Sequence, residues 1–413
     1  MPAPELLEPD AASLVSDVHR AGTRFVLATT GGGSGAISAL LTVPGGSRTV
    51  LEASVPYSAA ALTAFLAAQP EQFCSEYTAR LMAMAAYQRA TRYATDGHEP
   101  TAPLAGIGGT ASLASDRPKR GAHRIHVAAQ TAELTAVASL DLTKGVRTRA
   151  QEETLATRLL LNMVARACGL PDRLLLDLQA AEQVVEDGTI APPEWRQLFA
   201  GEVYAVPGKV PSGHDSQSRV PCGHQEPATA PPLHKPPSAK TAPPSEPHRL
   251  VFPGAFHPLH DGHREMARIA AAHWHVPVEW ELSITNVDKP PLDYHEMRLR
   301  AAQFPADASL WLTRAPTFVE KARIFPGATF IVGADTIARI AEPRYYGGDP
   351  VACQQAFAAI AAAGCRFLVF GRKIAERFET LGDLSLPPTI KAICDEVSPS
   401  AFRADISSTE LRR

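Results

Sequence analysis

Apolar residues along this chain fall into short runs alternating with stripes of helical period, and that alternation predicts an α/β protein. Leu14, Val15 and Val18 share one face of a helix predicted over residues 10–23. The run Arg24-Phe-Val-Leu-Ala predicts a strand, followed by a glycine-rich turn and a helix from Ala36 to Leu41. Further helices are predicted over residues 58–68 and 149–168, an alternating strand around His123 to Ala129, and a loop at Gly106 to Thr110. Residues 171–204 read as helical and peripheral, with Leu174, Leu175, Leu178 and Val184 as their apolar positions. Periodicity then stops, and residues 205–247 read as an extended linker rich in proline, serine, glycine, lysine and histidine.

It resumes at Leu250-Val-Phe, a buried strand broken by Pro253 and Gly254, before His260 to His263 open an amphipathic helix carrying Met266, Ile269 and Ala270. An alternating strand over 276–285, a helix over 293–304, a strand at 310–312 and a helix over 317–323 follow. A strand at 329–335, helices over 336–341 and 353–363 and a strand at 366–370 complete the series. This order predicts a doubly wound parallel sheet with ligands at the carboxyl ends of its strands, where His260, His263, Lys289, Asp335 and Arg372 fall. The expected domains are therefore residues 10–204, a linker at 205–247 and a second domain at 248–413.

Composition narrows the partners. The net charge is −3 with both signs interspersed, so no long-range field favours nucleic acid or an anionic membrane. No apolar run is long enough to span a bilayer, and the N-terminus lacks a basic-then-apolar leader pattern. The six cysteines are scattered without a CxxC pair, which suits reduced thiols and a cytoplasmic location. Cys222, His224 and His214 form an incomplete ligand set inside the linker, so no protein metal site is expected.

The strongest chemical signal is the mouth of the helix after Leu250-Val-Phe. A helix start presents unpaired amides and a positive dipole end, Gly262 keeps no side chain between backbone and ligand, and imidazoles donate to oxygens that gain charge. Gly254, Phe256, Pro258, His260, Gly262 and His263 match, position by position, the GxFxPxHxGH signature. The segment so resembles the nucleotidyltransferase superfamily that includes the nicotinamide and nicotinate mononucleotide adenylyltransferases. The last residues, Ile406-Ser-Ser-Thr-Glu-Leu-Arg-Arg, resemble its ISSTxIR signature with Leu411 in place of isoleucine. Lys289-Pro-Pro-Leu with His295-Glu-Met-Arg298, Gly333-Ala-Asp335 and Thr313-Arg-Ala-Pro-Thr-Phe resemble segments of the adenylyltransferase branch. Tyr345 and Tyr346 offer either ring stacking or packing anchors.

The resemblance implies roles. His260 and His263 would contact ATP phosphates, Ser407, Ser408, Thr409 and Arg412 the β and γ phosphates, Lys289 the acceptor phosphate, and Asp335 ribose hydroxyls. Gly254, Phe256, Gly262 and Gly333 complete the implied nucleotide site. The implied reaction joins a pyridine mononucleotide to ATP with release of pyrophosphate, Mg²⁺ being held mainly by substrate and water. The alternatives are a cytidylyltransferase on another phosphorylated acceptor and a non-catalytic nucleotide sensor.

Residues 10–170 resemble, more diffusely, the CinA C-terminal domain, the nicotinamide mononucleotide amidohydrolase fold, an α/β/α domain. That family's turn Glu-Ser-Cys-Thr-Gly-Gly carries a nucleophilic serine, whereas here the turn reads Thr30-Gly31-Gly32-Gly33-Ser34-Gly35, placing Gly31 at the nucleophile position. Its Tyr-Ser-x-x-x-Lys segment is represented by Tyr57 and Leu62, so the tyrosine is kept and the lysine is lost. The domain is expected to be catalytically silent. Gly31, Gly32, Gly33, Ser34, Tyr57, Gly106 and Gly108 remain a ligand loop or, equally, close strand-to-helix packing. Small-molecule nucleotides are the expected partners, with association of copies through the CinA-like domain left open.

Overall fold

The computed structural model describes residues 8–96, 102–116, 120–208, 248–287, 290–374, 377–398 and 400–402. The sequence Phe25-Val-Leu-Ala is buried on both faces because its strand lies inside a sheet with helices on each side. This strand, β1 (Arg24–Thr30), runs parallel to β2 (Val50–Ser54) and β3 (Leu104–Ser112). Beyond β3 come the antiparallel β4 (His123–Thr131), β5 (Leu134–Leu142) and β6 (Val184–Ile190), giving the order β2-β1-β3-β4-β5-β6. Phe25 and Leu27 pack beneath α1 (Pro9–Arg20), α2 (Gly35–Thr42) and α6 (Arg149–Ala167). A single turn, α3 (Gly46–Thr49), leads into β2. Val26 and Ala28 point the other way, to α4 (Ala59–Leu66) and α5 (Glu76–Asp96).

Two expectations fail in this half. Gly106 to Thr110 is not a loop but the middle of β3, and its glycines answer to packing. A Cβ on Gly106 would lie 2.1 Å from the Tyr87 amide nitrogen of α5, and one on Gly108 would lie 2.4 Å from Ala79 O. Only glycine lets the helix backbone approach the strand this closely. Nor are residues 171–204 a run of peripheral helix. Leu174 lies in an extended segment, held by both ends of the Asn162 amide (Leu174 N to Oδ1, 2.7 Å; Nδ2 to Leu174 O, 3.0 Å). Val184, Val185, Thr189 and Ile190 then form β6, as β-branched residues favour.

The helix α7 (Pro193–Ala200) and strand β7 (Ala205–Pro207) belong with the second half of the chain. Trp195, Leu198 and Val206 are buried in the same core as Leu250 and Phe252, and β7 pairs antiparallel with β10 (Ser309–Thr313). The expected linker start at residue 205 is thus corrected, because Ala205–Pro207 is a sheet edge. The second sheet contains β8 (Leu250–Pro253), β9 (Val278–Ser283), β10, β11 (Thr329–Gly333), β12 (Arg366–Phe370) and β15 (Cys394–Val397), in the order β15-β12-β11-β8-β9-β10-β7. The short hairpin β13 (Arg372–Ile374) and β14 (Arg377–Glu379) stands apart from it.

The six strands of this sheet other than β7 are mutually parallel, and in their own chain order run 3-2-1-4-5-6. The connections are α8 (Asp261–Trp274), α9 (Tyr294–Ala301), α10 (Phe318–Ile324), α11 (Ala334–Ile340), α12 (Pro350–Ala362) and α13 (Pro388–Lys391). The winding reverses between β8 and β11, so their carboxyl ends flank a crevice suited to a ligand. Among the described residues, no helix is long and apolar enough to cross a membrane.

Candidate active site

At the carboxyl end of β8 the chain must turn sharply to start α8, and the residues there are suited to that. Gly254 continues the strand pairing by donating to Glu281 O at 3.0 Å. Phe256 adopts a positive φ of 43° and drives its ring into a cluster with Phe252, Trp280 and Phe304. At 1% exposure Phe256 cannot face a nucleotide, which corrects its expected place in the ligand site: it is the anchor of the turn. The aromatic floor is what fixes the histidines above it.

His260 is the N-cap of α8 in extended conformation (φ −131°, ψ 172°), with Gly262 buried in the first turn. His263, one turn on, stacks on His260 with ring centroids 3.8 Å apart and sets its edge against Phe252 and Phe256. The His260 amide donates to His263 Nδ1 at 3.3 Å, so a neutral His263 carries its proton on Nε2. Burial, then the neighbouring His260 and Arg372, push the His263 imidazole down to about 3. Burial and Arg372 likewise lower His260. Both rings are therefore neutral at pH 7.

Both ring nitrogens of His260 are buried without a hydrogen-bond partner. An unsatisfied buried polar atom costs about 1–3 kcal/mol, which an oxygen arriving from a ligand would relieve. A third such atom lies across the switch point. Gly333 ends β11 and caps α11, and Asp335 Oδ1 is buried there without a hydrogen bond, 3.6 Å from Arg372 Nε at the start of β13. A Cβ at Gly333 would stand 2.6 Å from Asp335 Oδ1 and 3.6 Å from Arg372 Cδ, so a larger residue there would displace the Asp335 side chain. His260, His263, Gly333, Asp335 and Arg372 thus converge from three segments far apart in sequence. Lys289, Ser407, Ser408, Thr409 and Arg412 lie outside the described residues.

Other expectations are resolved locally. Arg298 donates to Thr189 Oγ1 of β6 at 2.9 Å and pairs with Asp187, so it joins the two halves and does not reach a ligand. Thr313 is fully buried on the Glu281 carboxylate, which also receives Lys321 Nζ at 2.8 Å, and Arg314 holds Phe199 O at 2.6 Å. Tyr346 packs edge-on against Phe357 and donates to Ile340 O at 3.1 Å, the role of an anchor.

The glycine turn of the first half borders a separate cleft of about 410 Å³, lined by Gly31, Gly32, Ser34, Tyr57, Arg149 and Glu153 among others. Its anion-binding potential is already taken. The Ser34 amide and hydroxyl both donate to Glu153 Oε1, at 2.8 and 3.0 Å, so a carboxylate from α6 sits where a phosphate would. Arg149 closes the other side by donating to Gly31 O at 2.8 Å. A Cβ at Gly31, with φ of +76°, would fall 1.9 Å from Ala111 O, so this backbone leaves that position no side chain. Gly33 faces inward, towards Thr29 and Leu160. Gly106 and Gly108 are under α5 and do not border the cleft. Glu153 was invisible to sequence reasoning because it is one of several charges on a long amphipathic helix.

No family model and no curated protein matches the chain. Among solved structures it is similar to the competence/damage inducible protein CihA from Agrobacterium tumefaciens, with 20% identity, 39% of this chain and 97% of that chain covered, and a TM-score of 0.30. It is also similar to CinA superfamily proteins from Escherichia coli (18% identity, 40% and 93% covered, TM-score 0.29) and Klebsiella pneumoniae (15% identity, 38% and 98% covered, TM-score 0.28).

Proposed function

We propose that the second half of the chain is a nucleotidyltransferase that joins a pyridine mononucleotide to ATP. The observation that carries this reading is the stacked His260/His263 pair at the mouth of α8, beside the switch point, with both His260 ring nitrogens buried and unpartnered. Neutral imidazoles there serve as hydrogen-bond donors to phosphate oxygens, with the α8 amides and Arg372 adding positive potential. The acceptor phosphate attacks the α-phosphorus of ATP in line; the new P–O bond forms as the bond to the β-phosphate oxygen breaks, and pyrophosphate leaves with Mg²⁺. No protein nucleophile is required, and the chain's contribution is positioning and charge stabilisation. Asp335, held by Arg372 at 3.6 Å, accepts from ribose hydroxyls. The first half acts as a non-catalytic scaffold, a reading supported by Glu153 occupying the amide of its glycine turn.

The test is pyrophosphate release by the purified chain with Mg²⁺, ATP or CTP, and nicotinamide mononucleotide, nicotinate mononucleotide or phosphopantetheine as acceptor. Release is expected with ATP and a pyridine mononucleotide, and His263→Ala is expected to lower it by about 10²-fold or more while leaving the fold intact. Release confined to CTP or to phosphopantetheine replaces this reading with another transferase branch. Silence with every pair, combined with thermal stabilisation by ATP, makes the protein a nucleotide sensor.

A further inference from the structure

We propose that Arg80, on α5 of the first half, is a positioning residue for the His260/His263 site of the second. A chain of contacts leads from Arg80 to the turn before His260. Arg80 is 4% exposed and forks across the interface, its Nη1 donating to both oxygens of Asp293 at 2.9 and 2.7 Å and its Nη2 to Glu296 Oε2 at 3.1 Å. The other oxygen of Glu296 receives Arg300 Nε at 2.8 Å and lies 3.1 Å from His257 Nδ1. Arg300 Nη1 in turn donates to Ala255 O at 2.9 Å. Gln303, one turn further along, binds Phe256 O at 2.9 Å and accepts from Leu259 N at 2.7 Å. The carbonyls of Ala255 and Phe256 and the amide of Leu259 are therefore held by Arg300 and Gln303 from the α9 region, and Arg80 fixes the carboxylates of that helix.

Charge makes Arg80 indispensable to this arrangement. Asp293 and Glu296 are each 3% exposed and meet the guanidinium groups of Arg80 and Arg300, with His257 also on Glu296 and the more exposed Glu76 3.5 Å from Arg80 Nε. Burial alone would raise the Glu296 carboxyl; the His257 hydrogen bond with Arg300 and Arg80 overcomes this and holds it well below the usual range. Without Arg80, one buried carboxylate is left uncompensated and must take up a proton or pull away into water. There is room to move. A cavity of about 520 Å³ lies at this junction, lined by Tyr77, Arg80, His257, Pro258, Glu296 and Arg300 among others, so a released turn has somewhere to go. Because Phe256 lies on that turn and His260 follows it directly as the N-cap of α8, its displacement moves the histidine pair. The role makes the first half an integral wall of the site, although it contributes no group that touches the reacting atoms.

The catalytic readout rests on the proposed transferase activity; the structural readout does not. In the full-length chain, Arg80→Met is expected to accelerate amide hydrogen exchange in the peptide spanning residues 254–260 by about tenfold, with β10 unchanged as an internal control. Arg80→Lys, which keeps the charge but loses the fork, is expected to fall between and serves if the methionine variant does not fold. In turnover, kcat is expected to drop by about tenfold with little change in KM for ATP, and an acid limb should appear as Glu296 is released to titrate. Unchanged exchange at 254–260 in a folded variant overturns the proposal, as does faster exchange with an unaltered kcat. If no nucleotide pair gives turnover, the transferase reading has failed, and the exchange experiment still decides the positioning role.

Discussion

A histidine buried against aromatic rings resists protonation until an anion faces it, and this gives the pair at the α8 mouth a measurable signature. His263 in the folded chain titrates near 3, against about 6.5 when unfolded. As pH falls below about 6.5 the unfolded chain gains a proton that the folded chain refuses, so stability is full at neutral pH and declines towards about 3. At pH 5 the cost amounts to about 2 kcal/mol as an upper figure. His263→Gln should therefore be less acid-sensitive than the native chain, its unfolding free energy relative to native rising by up to about 2 kcal/mol from pH 7 to pH 5. Parallel stability–pH curves would refute the neutral buried imidazole. At this scale the sequence was informative: His260, Gly262 and His263 carry their own helix start, although the turn before them is held by distant residues such as Arg300 and Gln303. Phe256 was misread because a motif position does not say whether its ring faces the ligand or the floor.

Elements were legible where a stripe or an alternation stood alone, as in β1, α6, α8 and β11. They were not legible where two elements share one contact. The longest helix, α5, buries Ala79, Ala83, Ala86 and Ala90, a stripe of small residues that reads as composition rather than as an apolar face. Its counterpart is the row of glycines in β3, and neither half makes sense without the other. Gly106→Ala would set a methyl 2.1 Å from one α5 backbone atom and 2.2 Å from another, neither of which can yield. We expect a loss of about 3 kcal/mol or more by denaturant unfolding. Gly109→Ala meets only side chains of Thr29 and Leu160, at 3.0 and 3.2 Å, and should cost about 1 kcal/mol. Equal losses at the two positions would mean that α5 does not rest on β3 as described. The β6 segment escaped for a different reason, since its edge position leaves Val185 and Ile190 each 64% exposed and blurs the alternation.

For the whole molecule, contacts between residues 109 to 213 positions apart decide the arrangement, and a single sequence carries no sign of them. Arg80 with Asp293, Tyr294 N with Thr135 Oγ1 at 2.9 Å, and Arg298 with Thr189 all join the first sheet's layer to α9. The chain also crosses over early: Trp195, Leu198 and Val206 precede the Pro-rich stretch yet complete the core of the second sheet. The stretches before residue 209 and after residue 247 are thereby joined by a strand pairing, β7 on β10, and by a buried ionic interface as well as by the peptide chain. A protease site inserted within residues 209–247 tests this directly. After complete cleavage the fragments should co-elute as one species in native size exclusion at the mass of the intact chain, and separate only in denaturant. If they separated under native conditions, the contacts from Arg80 and β7 would need the covalent tether to hold, and the first half could position the second only in the uncut chain.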